Sequence, residues 1–289
     1  MTGPVVVVGA AGRLGASIVA ACGGTEVIAY TRATLDITDP DAVRRTVAEA
    51  APAAIINCAA FNDVDGAEDH PARAFAVNAF AVRSLARAAE VCGARFVHFS
   101  TDFVFDGESA EPYLETDAAA PRSVYGLSKL LGEWFALDAP RGFVLRVESL
   151  FGAPPGWSGR AGSLDSIIES LEQDREVTVF TDRVVSPSYV HDIARAVRHL
   201  LEHRAAPGLY HCVNDGHATW YEVAAEAARV LGVRPRLRCM TMAETAFRAS
   251  RPRYCALAGR KLAATGFTMP TWNDALRRRL TRTARGGIA

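Results

Sequence analysis

The chain has no excess of charge of either sign. Its 32 basic and 32 acidic side chains cancel to a formal net charge of zero over 289 residues. That balance argues against nucleic acid or an anionic membrane surface as the main partner, although a few local arginines suffice for an anionic ligand. No apolar run reaches the roughly 18 residues that a membrane-spanning helix needs. The start, Met1-Thr2-Gly3-Pro4, shows neither the basic region nor the apolar core expected of a secretory leader. None of the six cysteines (Cys22, Cys58, Cys92, Cys212, Cys239, Cys255) falls in a C-x-x-C pair, and most sit in apolar runs. They read as reduced, mostly buried thiols of a cytoplasmic protein. No Cys/His group has zinc-ligand spacing, so no metal is expected. Repeats and low-complexity segments are also missing. What is present is a hydrophobic content of 49%, enough for a sizeable core in one large or two modest domains.

Strand and helix signals alternate through the first half. Strands are expected at residues 4–8, 26–30, 53–57, 95–100 and 143–147, and helices at 13–22, 39–50, 71–91 and 123–137. Strands without polar alternation, separated by helices, predict a parallel sheet covered on both faces. The expected fold is therefore α/β, a Rossmann-type doubly wound parallel sheet with a second, smaller C-terminal α/β lobe. Residues 1–150 would form the dinucleotide-binding domain, with return segments near 180–215, and residues 151–289 the interleaved substrate-binding lobe. The turn-rich stretch from Gly152 to Gly159 marks the change of rhythm. Helices are expected at 164–173, 189–202 and 220–231, a returning strand at 208–212, and a frayed tail at 281–289.

Val5–Val8 run into Gly9-Ala10-Ala11-Gly12-Arg13-Leu14-Gly15. Glycines between a strand and a helix let backbone N–H groups approach a pyrophosphate at the helix N-terminus. A tight turn that binds nothing is the other reading of this spacing, and the strand–turn–helix context disfavours it. An NAD site often places an acid at the end of the second strand. Here that segment is Tyr30-Thr31-Arg32. Arg32, with Arg13 in the loop, would suit a ribose 2′-phosphate, so NADPH is favoured and NADH stays open. Either arginine alone reads equally as a solvated charge.

Tyr125 and Lys129 are four residues apart and share a helix face, downstream of Ser100-Thr101-Asp102 at a strand end. A free phenol titrates near ~10. A neighbouring ammonium would lower that value and let Tyr125 deliver a proton to a carbonyl oxygen that Thr101 holds.

With these residues in view, the chain resembles the extended short-chain dehydrogenases of the dTDP-4-dehydrorhamnose reductase type. The likeness runs through Gly9–Gly15, Leu35–Asp39, Asn57–Asp65, Val77-Asn78, Ser100–Gly107, Val124–Lys129, Gly132-Glu133, Gly208–His211, Arg251–Arg253 and Lys261–Trp272. It implies reduction of the 4-keto group of a nucleotide-linked 6-deoxy-hexulose, feeding polysaccharide or glycosylated-metabolite synthesis. Thr101, Tyr125 and Lys129 would be catalytic. Gly9, Gly12, Arg13, Leu14, Gly15, Arg32, Asp36, Ile37, Cys58, Ala59, Ala60 and Asn78 would hold the cofactor together with Tyr125 and Lys129. Thr101, Asp102, Phe103, Val64, Ser149 and Arg251 would face the sugar nucleotide, and a homodimer stays open. Three departures bear on the sugar. Arg146-Val147-Glu148-Ser149 stands for a frequent R-T-S-W, Phe103 for a frequent Tyr, and Arg253-Tyr254-Cys255 for R-x-N-S. Trp157 could supply an aromatic wall or pack locally.

Other polar groups carry plainer expectations. Asp63, Asp65, Glu68 and Asp69 suit a helix entrance better than a metal. His98 suits a satisfied core position, and Asp192 a cap or a contact joining the lobes. Arg277, Arg278, Arg279 and Arg282 suit a solvated face. Arg251 and Arg253 suit a diphosphate clamp. Two alternatives remain. One is an epimerase or dehydratase of the same superfamily. A dehydratase needs an acid pair beside the strand-end Thr, where the sequence offers only Asp102 followed by Phe103. The other is a non-catalytic NADP-binding regulatory subunit.

Overall fold

Four consecutive valines form strand β1 (Val5–Val8), and all four are buried because helices cover both faces of the sheet. The computed structural model describes residues 3–203 and 205–286, with side chains through Thr281. Around β1 lie β2 (Val27–Tyr30), β3 (Ala54–Asn57), β4 (Arg95–Thr101) and β5 (Gly142–Val147). With Gly208–His211 they make a six-stranded sheet in the order Gly208–His211, β5, β4, β3, β1, β2. Every pairing in it is parallel. The chain reverses direction across the sheet at β1, which opens a crevice at the carboxyl ends of the strands.

Register sets what lies in that crevice. Val8 pairs with both Tyr30 and Asn57, so β1, β2 and β3 end level. Asn57 pairs with His98, yet β4 continues to Thr101, which pairs with Val147. Thr101 therefore stands beyond the turn that follows β1.

One face of the sheet packs Ile18 of helix α1 (Arg13–Ala21) against Val190, Ile193, Val197 and Leu200. The other packs Val43 and Val47 with Val82, Leu85 and Ala86. After Val147 the chain builds a second cluster around Phe151, Leu164, Ile168, Tyr189, Trp220 and Leu276. Three two-stranded sheets support it, one of them pairing Leu150–Phe151 with Ser188–Tyr189. Helix Val190–Glu202 and strand Gly208–His211 return to the large sheet.

Several expectations need correction. The helix expected over 71–91 contains a π turn, Ala76–Phe80, between Pro71–Phe75 and Ala81–Val91. The wider turn turns Asn78 fully inward. A helix at Val64–Asp69, capped by Asp63, is too short to show a period in the sequence. The last helix, Trp272–Gly286, does not fray at 281, because Ala275, Leu276 and Leu280 anchor it in the second cluster. Residues 287–289 of the expected tail lie outside the described residues. All six cysteines are free, but only Cys212 and Cys255 are buried, and Cys92 and Cys239 are exposed. Among the described residues no helix is long and apolar enough to cross a membrane.

Candidate active site

Gly9 follows β1 with φ +77, and a Cβ there would lie 2.6 Å from the Ala59 nitrogen. Only glycine lets the two loops approach so closely. Gly12 caps α1 with no side-chain hydrogen bond, which leaves the first N–H groups of the helix open to an anion. Gly15 packs against the Gly9 carbonyl, and Leu14 points into the core.

Beneath this turn, Cys58, Ala59 and Ala60 are half-buried. Asn57 Oδ1 accepts from the Ala59 N–H at 3.1 Å. Asn78 Oδ1 accepts from Phe61 N–H at 2.8 Å, and its Nδ2 donates to the Phe61 carbonyl at 3.1 Å and to Ser128 Oγ at 3.0 Å. Beyond β2, Ile37 is core, whereas Asp36 and Arg32 are exposed. Hydrogen bonds from Thr38 hold the Asp36 carboxyl below its usual range. Arg13 turns toward the second lobe. It pairs with Asp165, donates to the carbonyls of Leu150 and Arg160, and stacks on Trp157 at 5.2 Å. Trp157 in turn donates to the Ala11 carbonyl at 3.0 Å, so its ring packs on the glycine loop.

The helix Val124–Leu137 starts under tight control. Ser123 Oγ accepts from Gly126 N–H, and Glu68 accepts from Val124 N–H. Tyr125 is buried against Phe103, edge to face at 5.4 Å, with Val64 beside them. Lys129, 2% exposed, donates to the Phe99 carbonyl at 2.6 Å. Burial holds its ammonium down at about 8, against the opposing pull of Glu133 and Cys58. Thr101 donates to Asp102 Oδ1 at 2.8 Å, and its hydroxyl neighbours the Tyr125 phenol. The sequence reading expected a phenol lowered by Lys129. In the structure burial and the Asp102 carboxylate push it up, and only the Thr101 hydroxyl acts the other way.

The sequence reading also missed a cluster of polar groups under Thr101. Glu148 Oε1 accepts from Ser186 N–H at 2.6 Å, and its carboxyl lies beside Asp102 and the Cys255 thiol, ligand atoms within 4.8 Å of one another. Arg183 faces this group and stacks on Phe103 at 5.6 Å. The second acid that the sequence denied to Asp102 is therefore present, supplied by the neighbouring strand end. Adjacent Ser149 is a non-glycine residue at φ +45, the kind of backbone strain that clusters at sites.

The remaining candidates are tied to carboxylates. Arg251 donates to Asp65 at 2.6 Å, and Arg253 lies 3.5 Å from Asp182. Asp63 caps its own helix, Glu68 accepts from the first N–H of the Val124–Leu137 helix, and Asp69 pairs with Arg248. His98 is buried, meeting Asn57 through Nδ1 while Nε2 has no partner among the described residues. On the last helix Arg277 is exposed as expected and the Arg282 side chain lies outside the described residues, whereas the expectation is corrected at Arg278, which grips the fully buried Asp192 with two hydrogen bonds.

Residues 2–285 match the family described as the RmlD substrate binding domain. The chain belongs to that family. It is 37% identical over 281 residues to a dTDP-4-dehydrorhamnose reductase of Streptomyces griseus, covering 94% of this chain and 91% of that protein. It is likewise 37% identical over 284 residues to a dTDP-4-keto-6-deoxy-D-glucose reductase of Streptomyces niveus, covering 96% of each. A solved structure of a Bacillus anthracis dTDP-4-dehydrorhamnose reductase in complex with NADP superposes with a TM-score of 0.91. It is 31% identical and covers 98% of this chain and 100% of that one. Within the family's frame, the signal that could have found Glu148 was the departure from R-T-S-W itself, which put an acid at a strand end.

Proposed function

We propose that the protein is a cytoplasmic, NADPH-dependent reductase of the 4-keto group of a nucleotide-linked 6-deoxy-hexulose. The observation that carries this reading is the convergence of Thr101, Tyr125 and Lys129 beyond the strand ends, next to an uncapped glycine turn at the reversal point of the sheet. The match to the family over residues 2–285 and to relatives named as reductases supports it.

The residues fit a dinucleotide. Gly9 and Gly15 keep Cβ atoms out of the turn, the α1 N-terminus offers free N–H groups, and no acid stands at Tyr30-Thr31-Arg32 to oppose a 2′-phosphate. Arg32 is the exposed cation for that phosphate. Arg13 holds the Leu150–Asp165 segment against the cradle instead. NADPH, when bound, supplies the hydride. Thr101 orients the carbonyl oxygen, and Tyr125, kept protonated by burial and by Asp102, donates the proton to it. Lys129 keeps two of its three N–H donors for other oxygens after bonding Phe99. Val64, Phe103 and Ser149 would line the sugar side, and Arg251 would contact the diphosphate from its anchor on Asp65.

The test is NADPH oxidation against a panel of nucleotide-linked 4-keto-6-deoxyhexoses, with Tyr125→Phe as control. Turnover lowered about 10²- to 10⁴-fold by the substitution, with NADPH binding retained, is expected. The Asp102–Glu148 pair makes a dehydratase the second reading, and formation of a 4-keto-6-deoxy product from a nucleotide-linked hexose without net NADPH consumption would favour it.

A further inference from the structure

Asp102 and Glu148 stand at the carboxyl ends of neighbouring strands, 4% and 3% exposed, with their oxygens within 4.8 Å. Two carboxylates this close and out of water do not both ionise near neutrality, so the pair shares a proton. The groups facing Glu148 are few. Asp102 raises its titration, Arg183 lowers it, the Cys255 thiol borders it from the 253–258 segment, and the Tyr254 phenol of that segment lies within electrostatic reach. The Ser186 N–H holds Oε1, and the Ser149 hydroxyl lies 3.4 Å from Oε2. The Arg183 guanidinium beside both acids repels a metal ion, which leaves a proton as the species they share.

A line of neighbouring polar groups leads from this pair to Tyr125. Half-buried Ser149 contacts Glu148, a Glu148 oxygen lies within 4.8 Å of an Asp102 oxygen, Asp102 accepts from Thr101 at 2.8 Å, and the Thr101 hydroxyl neighbours the Tyr125 phenol. Lys129 already spends one donor on the Phe99 carbonyl. We propose that Glu148 is a positioning residue for proton supply: with Asp102 it holds the proton that returns to Tyr125 through the Thr101 hydroxyl after each reduction.

This rests on the reductase reading. The carbonyl carbon takes hydride from the reduced nicotinamide and the oxygen takes the Tyr125 proton. The phenolate then takes the Thr101 hydroxyl proton while Thr101 takes the proton of Asp102. That proton is the single one the pair shares, moved from Glu148 to Asp102 as the Thr101 hydroxyl gives up its own, and the pair regains one from solvent at Ser149. The net reaction consumes one solvent proton per ketone reduced. A phenolate beside the Asp102 carboxylate is electrostatically unfavourable, and that drives the return step.

Glu148→Gln keeps the shape and the acceptor for Ser186 N–H but cannot share the proton. Glu148→Ser, the residue found here in R-T-S-W, serves as a second variant. The first readout needs no turnover. A carboxyl-carbon NMR titration of the unliganded protein should show one group titrating well above the usual ~4, and Glu148→Gln should remove it. If every carboxyl titrates in the ordinary range, the pair does not hold a proton and the proposal falls. The second readout is the pH dependence of kcat for reduction. The wild type should lose activity on the alkaline side as the pair gives up its proton, whereas both variants should lose that break and about tenfold in kcat at neutral pH. A uniform fall in kcat with the break unmoved indicates a merely structural role and overturns the proposal. Failure of every keto-sugar to oxidise NADPH overturns the reductase reading and the relay together; turnover with an unchanged break overturns the relay alone.

Discussion

Asn78 donates a hydrogen bond of 3.0 Å to Ser128 Oγ, and through it the loop under the glycine turn is tied to the helix that carries Tyr125 and Lys129. Ser128 passes the connection on to the Tyr125 carbonyl at 2.8 Å. The π turn exists at the place where Asn78 must reach both the Phe61 backbone and this hydroxyl.

Asn78→Ala should therefore cost about 2–3 kcal/mol, because it leaves the Phe61 N–H and carbonyl without their partner. It should also weaken NADPH binding more than it raises KM for the sugar. Urea denaturation and fluorescence titration with NADPH check the two halves. Equal stability and unchanged NADPH affinity would remove the pinning role.

Lys129 titrates at about 8 in the folded protein, against ~10.4 for a free lysine. Its folded value is depressed, so the folded state bears the cost of a buried ammonium below about pH 8. That cost fades as pH rises toward ~10.4, where the unfolded chain still binds the extra proton. Lys129→Met should then be more stable than the wild type by about 1–2 kcal/mol near neutral pH, with the advantage shrinking through that window, while reduction falls by at least about 100-fold. Denaturation midpoints at neutral and alkaline pH measure the first effect. A variant less stable at neutral pH refutes it.

Gly126 lies where a Cβ would stand 2.2 Å from the Phe103 carbonyl oxygen. Gly126→Ala must push the helix away from the Asp102–Val104 turn, which is backbone and yields little. A loss of about 1–3 kcal/mol and a large fall in kcat are expected. Thermal melting and steady-state kinetics give the answer, and a variant with normal kcat would show that the helix has room to shift.

Arg278→Ala strands the Asp192 carboxylate, which is fully buried and, among the described residues, otherwise bonded only through Asn214 and a 3.7 Å contact to Arg195. A loss of about 3–5 kcal/mol is expected. Asp192→Asn in the same chain should recover part of it, since the uncompensated charge is gone. Chemical denaturation of the single and double variants tests this, and equal stability of the two would discard the charge as the cause.

Much of the fold was legible in the sequence because its signals are local. A strand without polar alternation, a glycine turn and a helix face each announce themselves within a few residues, and so does the four-residue spacing of Tyr125 and Lys129. The helix at Val64–Asp69 and the π turn at Ala76–Phe80 were not legible, the first for want of length and the second because one extra residue per turn leaves no pattern. The phenol shift was misjudged for a related reason: helix spacing places Lys129 near Tyr125, but burial and Asp102 decide the sign.

By itself the sequence determined most of the strand–helix order, the glycine turn after the first strand and the four-residue spacing of Tyr125 and Lys129. Only the tertiary structure set Glu148 against Asp102, brought Arg183 and Cys255 beneath them, and turned Arg13 to Asp165 and Arg278 to Asp192. These contacts join residues from separate strands and from the second lobe. Their proximity comes from sheet register and lobe packing, quantities that no local pattern of side chains encodes.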